Sequence, residues 1–145
     1  MRTIKFRGKR LDNGEWLYGD LMHDNAGGYY VYPIESENLF KENKVNPNTV
    51  GQFTGLHDKH GKEIYEGDIV RKKEIGGYGL EDIGVVRYYE EDCRFGIDTT
   101  TTNKFTKRLL FTDGECSFDD GKYTITYHNE YEVLGNIFDN PELLK

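Results

Sequence analysis

The feature that most constrains this chain is its central segment, residues 50–71, in which two tight turns separate short alternating stretches. The first turn lies in the polar run His-Asp-Lys-His-Gly at residues 57–61, and the second is Glu-Gly-Asp at residues 66–68. Gly67 can adopt a positive φ without steric cost, and the carboxylate of Asp68 can accept backbone N–H bonds in such a turn. The segment therefore predicts a compact strand–turn–strand–turn–strand arrangement.

Short alternating stretches between turns continue along the chain. Residues 3–24 alternate on both sides of Asn13-Gly14, and this dipeptide is the strongest short-range signal of a β-hairpin. Residues 83–89, 123–128 and 131–138 predict further strands. The 17 glycines, 11 tyrosines and 8 phenylalanines are typical of a turn-rich β protein. We predict an all-β fold, a single compact barrel or sandwich of many short antiparallel strands with short helical turns at most.

Three segments depart from this pattern. Residues 36–42 are ambiguous, because Ser36 could cap one helical turn there. Residues 71–82 combine three glycines with many charges, which predicts a mobile loop. Near the end of the chain, Asn140 as N-cap and Pro141 at the first helical position predict one helical turn.

At 145 residues the chain has the length of one domain, and no repeat or linker divides it. We therefore predict a single domain over residues 1–145. The first residues lack the apolar stretch of a secretory signal, and no apolar run is long enough to span a membrane. Cys93 and Cys116 have no ligand spacing and are interpreted as thiols in a reducing cytosol. These features predict a soluble, cytoplasmic protein with no membrane partner.

The richest candidate for chemistry is the run His-Asp-Lys-His at residues 57–60, since imidazole and carboxylate groups bind zinc or manganese. A closed zinc site needs four ligands, and the remaining histidines and cysteines are scattered without a characteristic spacing. The two serines, Ser36 and Ser117, lie in no nucleophile elbow, and neighbouring acids mark turns and solvated faces. We predict no catalytic residue, no metal and no cofactor, which favours a non-catalytic protein over an enzyme.

Runs of residues at both ends and in the centre of the chain form a specific combination. They are Ile4-Lys-Phe-Arg-Gly-Lys-Arg10, Gly14-Glu-Trp16, Tyr18-Gly-Asp20, residues 54–70, Val133-Leu-Gly-Asn-Ile137 and Asn140-Pro-Glu-Leu-Leu144. This combination resembles the YopX-like family of phage and prophage proteins, although Lys and Asn are common in that family where this chain has His57 and His60. The resemblance implies a mostly β protein, encoded by a phage or prophage and located in the cytoplasm of the bacterial host. It implies no biochemical activity, so no functional residue is transferred from the family.

The functional class that remains is a binding module. The polar residues at the first central turn form a candidate contact loop of His57, Asp58, Lys59, His60 and Lys62. Residues assigned to the structural turns are Gly55, Gly61, Gly67 and Asp68. We expect a phage or prophage accessory protein that binds an unknown host or phage protein, or self-assembles into a homo-oligomer. Substitutions in the contact loop are then expected to leave stability nearly unchanged.

The alternative is a small β-barrel that binds nucleic acid. Possible stacking surfaces are Tyr29, Tyr30 and Tyr32, and the basic residues of the N-terminal hairpin are Lys5, Arg7, Lys9 and Arg10. The formal net charge of −7 opposes phosphate binding, which needs clustered Lys and Arg. The sequence therefore ranks nucleic acid below a protein partner.

Overall fold

The computed structural model describes residues 1–33, 43–103, 108–112, 114–118 and 121–145, with the backbone alone for residues 114–118 and Ile125. The predicted all-β class is confirmed. All strand pairings described in these ranges are antiparallel. The helical segments described are three short 3-10 turns at Pro47–Thr49, Glu90–Asp92 and Pro141–Leu144. Within the same ranges, no helix has the length and apolar character needed to cross a membrane.

Twelve strands are described. They are β1 (Phe6–Lys9), β2 (Trp16–His23), β3 (Tyr29–Tyr32), β4 (Lys44–Val45), β5 (Gly51–His57), β6 (Glu63–Tyr65), β7 (Asp68–Ile75), β8 (Glu81–Tyr89), β9 (Arg94–Asp98), β10 (Arg108–Leu110), β11 (Gly114–Phe118) and β12 (Tyr123–Asn136). The chain divides into two compact units, unit 1 at Met1–Leu56 and unit 2 at His57–Lys145. The single domain over residues 1–145 stays a prediction.

In unit 1 a small ring of strands forms around the predicted N-terminal hairpin. β1 pairs with β2, β2 with β3, and β3 with β4. A bridge between Arg10 and Val45 returns β4 to the end of β1, while β5 pairs with the beginning of β1. Val31 and Val45 are fully buried. A side-chain carbon at Gly8 would come within 2.9 Å of Val45, so glycine is what lets these strands approach.

Unit 2 is built on a sheet with the strand order β10-β9-β8-β7-β12-β11. Successive residues of a strand point to opposite faces, and one face of this sheet supplies Val70, Val86 and Ile97. Together with Ile64 of β6 these side chains form a fully buried cluster. Tyr131 and Val133 of β12 are partly buried and pack against the same cluster. The middle of β12 is thus anchored to the core of unit 2.

The loop predicted at residues 71–82 is wrong at both ends, because residues 71–75 and 81–82 belong to strands. Strand β7 continues to Ile75, and β8 already begins at Glu81, so the turn between them is confined to residues 76–80. The charged residues belong to a strand because they pair across it: Arg71 lies opposite Glu132, with Nη1 2.9 Å from the carboxylate. Opposite charges facing each other across two strands stabilise their pairing.

Two smaller predictions also need correction. The two strands predicted at residues 123–128 and 131–138 are one strand, β12, with an irregularity between Val133 and Gly135. The helical turn at Pro141–Leu144 is present with Pro at its start, but the Asn140 side chain makes no capping bond to it. The amide oxygen of Asn140 instead accepts the Asn136 N–H at 3.3 Å, so it closes the end of β12. The ambiguous segment 36–42 lies outside the described residues.

Candidate functional site

The candidate contact loop lies in unit 2 at the tip between β5 and β6, and we refer to residues 57–62 as the tip loop. Four of its side chains are exposed, those of His57, Lys59, His60 and Lys62. Asp58 differs from these four, because only 8% of its surface is exposed. The structure therefore separates one inward-facing acid from four outward-facing basic or imidazole groups.

The Asp58 carboxylate organises the tip loop through backbone N–H groups. Its Oδ1 accepts the N–H groups of His60 at 2.8 Å and Lys62 at 2.9 Å. The Asp58 N–H donates to the Lys62 carbonyl at 2.7 Å, and the Gly61 N–H donates to the Asp58 carbonyl at 2.9 Å. Gly61 has a φ of +81°, a conformation that residues with a side chain rarely adopt. These bonds fix one backbone conformation for the loop.

The tip loop also covers one edge of β12. The Lys59 N–H donates to the Tyr131 carbonyl at 2.8 Å, and Asp58 Oδ2 accepts the Val133 N–H at 3.0 Å. Consecutive residues of a strand direct their peptide groups to opposite sides. Since the two groups bound here belong to alternate residues, they lie on the same edge of β12. Asp58 thus supplies the acceptor that a neighbouring strand would otherwise supply, and it does so across 75 residues of sequence.

The protonation equilibrium of Asp58 reflects these contacts. Burial opposes the charged carboxylate, but the N–H groups of Val133, Lys62 and His60 stabilise it more strongly, so the pKa of Asp58 lies below its usual value. At neutral pH the carboxylate is ionised and accepts all three bonds. The carboxylate is consequently engaged within the fold rather than offered to a partner.

Glu132 forms the second part of the site, beside the tip loop. Its carboxylate lies 3.3 Å from Lys59 Nζ, 3.6 Å from His60 Nε2 and 2.9 Å from Arg71 Nη1. Desolvation opposes its charge, yet Lys59 and Arg71 lower the pKa of Glu132 below its ordinary value. This shared acid orients the exposed ends of Lys59 and His60.

A small cavity of about 100 Å³ opens next to this cluster. Its charged lining residues are Lys59, Arg71, Lys73, Glu81, Glu130 and Glu132. Three cations and three acids line it, so their formal charges cancel. The arrangement orients surface side chains around this cavity.

The second central turn is a structural element of unit 2. Gly67 has a φ of +85°, and Asp68 is 1% exposed with its carboxylate accepting the Tyr65 N–H at 2.8 Å. The Gly67 N–H donates to the Val86 carbonyl at 2.9 Å, and its carbonyl accepts the Ile137 N–H at 3.0 Å. The turn is therefore bonded to β8 and to the residue that follows β12. In unit 1, Gly55 lies in β5 and also has a positive φ, +87°.

Sequence reasoning missed two residues of this site, Glu132 and Val133. Nothing in the sequence near residue 132 signals its partners, because Lys59 and Arg71 reach it only through the pairing of β12 with β7 and with the tip loop. Among the described residues, no three His, Cys, Asp or Glu side chains are grouped so that they could hold a metal ion.

The comparison with known families adds the last observation. The model of the family described as YopX protein matches residues 5–145, which is nearly the whole chain. The chain belongs to the YopX family. The match spans both units and includes the tip loop and the Gly67 turn. No curated protein gives a significant match to this YopX-family chain.

Proposed function

We propose that this YopX-family chain is a phage or prophage accessory protein that acts without catalysis, by binding a protein of the host or of the phage in the bacterial cytoplasm. The observation that carries the proposal is the tip loop: four exposed side chains, those of His57, Lys59, His60 and Lys62, stand on a backbone fixed by Asp58. Family membership supports the phage origin.

A fixed loop is well suited to binding. Ordering a flexible loop costs free energy when a partner binds, whereas a loop that already has its bound conformation avoids most of that cost. The bonds from Asp58 provide this order in the unbound chain. Two of the exposed groups, Lys59 and Lys62, are cations, and Glu132 directs the side chains of Lys59 and His60. Charge complementarity then favours an acidic surface on the partner protein.

The test is affinity capture from a lysate of the bacterial host, with and without nuclease treatment. The bait is the full chain, compared with the variant Lys59→Ser, His60→Ser, Lys62→Ser. A matched control is Arg94→Ser, Lys122→Ser, which removes exposed cations elsewhere in unit 2. We expect a captured protein to be retained by the wild-type chain and by the control but lost from the tip-loop variant, and the captured protein to be acidic.

Capture of the same proteins by all three baits would contradict the assignment to the tip loop. Light scattering of the purified chain addresses self-assembly, because a homo-oligomer formed through the tip loop would dissociate in the tip-loop variant alone. Recovery that disappears after nuclease treatment would contradict a protein partner.

A further inference from the structure

The net charge of the chain is distributed unequally between its two units. Unit 1 contains seven Lys and Arg and seven Asp and Glu residues, so its formal charge is zero. The formal charge of −7 therefore lies entirely in unit 2, residues 57–145. Net negative charge therefore opposes phosphate binding by unit 2, but not by unit 1.

One face of the unit 1 strands carries cations that alternate with aromatic rings. Arg7 and Lys9 of β1 point to this face, and Lys5, the residue before β1, continues the same alternation. Arg7 and Lys9 lie over the Trp16 ring, with the guanidinium carbon of Arg7 4.7 Å and Lys9 Nζ 5.4 Å from its centroid. Arg7 is buried, whereas Lys5, Lys9 and Trp16 are partly exposed. Arg7 therefore holds the Trp16 ring in place, while Lys5, whose Nζ lies 5.1 Å from the centroid of the Phe53 ring, and Lys9 remain partly exposed.

The neighbouring strands extend this face. Tyr18 lies opposite Arg7, and the next residues of β2 that point the same way, the exposed Asp20 and Met22, lie opposite Tyr32 and Tyr30 of β3. The face therefore includes the Asp20 carboxylate, and the Tyr30 hydroxyl donates to a second one, that of Asp24, at 2.9 Å. The rings of Tyr30 and Tyr32 are nearly parallel, with centroids 6.4 Å apart and an interplanar angle of 17°. Lys44 of β4 lies opposite Tyr30 and is exposed. We call this surface the aromatic–cationic face.

Two residues proposed from the sequence do not contribute to it. Tyr29 lies on the other face of β3, where its ring is 5.9 Å from that of His23. Arg10 points away from Lys9 along the strand and forms an ion pair with Asp12. The face thus combines four cations, Lys5, Arg7, Lys9 and Lys44, with two carboxylates, those of Asp20 and Asp24, so positive charge is in excess on it.

We propose that the aromatic–cationic face binds single-stranded nucleic acid. Lysine ammonium groups contact the phosphates, and the exposed rings stack on unpaired bases, a combination that recognises single strands without base-specific hydrogen bonds. Tyr18 is 45% exposed and provides the most accessible ring of the face. The bases of a duplex are already stacked on one another, whereas the bases of a single strand can stack on the protein rings. A single strand therefore fits this surface better. The proposal concerns a surface of unit 1 and does not depend on the tip loop of unit 2.

The experiment is fluorescence anisotropy of a labelled single-stranded oligonucleotide with the full chain, at several salt concentrations. The charge variant is Lys5→Gln, Lys9→Gln, Lys44→Gln, and the stacking variant is Tyr18→Ser. The control Arg94→Gln, Lys122→Gln, Lys145→Gln removes the same number of exposed charges from unit 2, outside the tip loop. We expect the charge variant to reduce the slope of log K against log salt by about 2, since each phosphate contact contributes about 0.7. Tyr18→Ser should weaken binding roughly five- to 150-fold.

Several outcomes would overturn the proposal. One is that the wild-type chain does not bind the oligonucleotide at low salt. Another is that the charge variant and the unit 2 control lose the same amount of affinity. A third is that the chain binds polyglutamate as tightly as the oligonucleotide, which would indicate a general anion-binding surface. Tighter binding of a duplex of the same length would also contradict it. Circular dichroism of each variant separates loss of binding from loss of folding.

Discussion

At the scale of single residues, Asp58 is the group whose role changes most once the structure is known. Its sequence context, between two histidines and a lysine, is that of a polar contact surface. Its carboxylate nevertheless bonds three backbone N–H groups, one of them on β12. The expectation that substitutions in the tip loop leave stability nearly unchanged therefore applies to the four exposed side chains and not to Asp58.

We predict that Asp58→Ala lowers the free energy of unfolding by about 2–4 kcal/mol, because the bonds to the loop are lost and the Val133 N–H is left without its acceptor. Lys59→Ala should change it by less than about 1 kcal/mol, since its ion pair with Glu132 is partly exposed. Urea unfolding measures both. The control Asp20→Ala removes an exposed carboxylate from β2 and should be nearly neutral. Equal effects of the two Asp substitutions would contradict the role given to Asp58.

At the scale of elements, two glycines with nearly the same backbone conformation have different surroundings. Gly61, with φ +81°, is exposed and has no atom near the position of a side-chain carbon. Gly67, with φ +85°, is buried, and its peptide groups bond β8 and the end of β12. A side chain would strain the backbone at both positions. A difference in the free energy of unfolding between the two substitutions would therefore measure the contribution of the hydrogen bonds made by the Gly67 turn.

We predict that Gly61→Val costs about 1–3 kcal/mol through backbone strain alone. Gly67→Val should cost more, about 3 kcal/mol or greater, because relief of the strain displaces the turn from Val86 and Ile137. The midpoint and slope of chemical unfolding, measured for both variants, test this difference. A Gly67 variant as stable as the Gly61 variant would show that the turn is not a structural centre of unit 2.

These elements also show what the sequence can predict. The hairpin at Asn13-Gly14 and the turn at Gly67 follow from chemistry within a few residues, and both are present. The charges after Val70 pair with the neighbouring strand β8, where Lys72 lies opposite Asp82, and with the distant strand β12, where Arg71 lies opposite Glu132. The second pairing cannot be predicted from nearby residues. The bond that the Val133 N–H donates to Asp58 likewise depends on a contact between distant residues. A sequence alone predicts local turns and strands, but not which residues distant in sequence come into contact.

At the scale of the whole molecule, acid should destabilise the fold through carboxylates in both units. The bonds from Gly28 and Tyr30 lower the pKa of Asp24 in unit 1. In unit 2, desolvation raises the pKa of Asp58 and Asp98, but hydrogen bonds to Val133 and Thr100, respectively, are among the contacts that bring each pKa below its usual value. A carboxyl group with a lower pKa in the folded state stabilises that state at all pH values above its unfolded pKa of about 4. This contribution is lost as pH falls through the folded pKa.

We therefore predict that the free energy of unfolding is nearly constant from pH 7 to pH 5 and decreases steadily below about pH 4. Urea unfolding at a series of pH values measures the curve. Asp58→Asn should be less stable than the wild-type chain at pH 7, because its amide group cannot accept all the bonds of the carboxylate, and the difference should shrink at low pH. Asp20→Asn should run parallel to the wild type. The difference in free energy of unfolding between Asp58→Asn and the wild type could instead stay constant down to pH 2. That result would show that the charge of Asp58 does not contribute to stability.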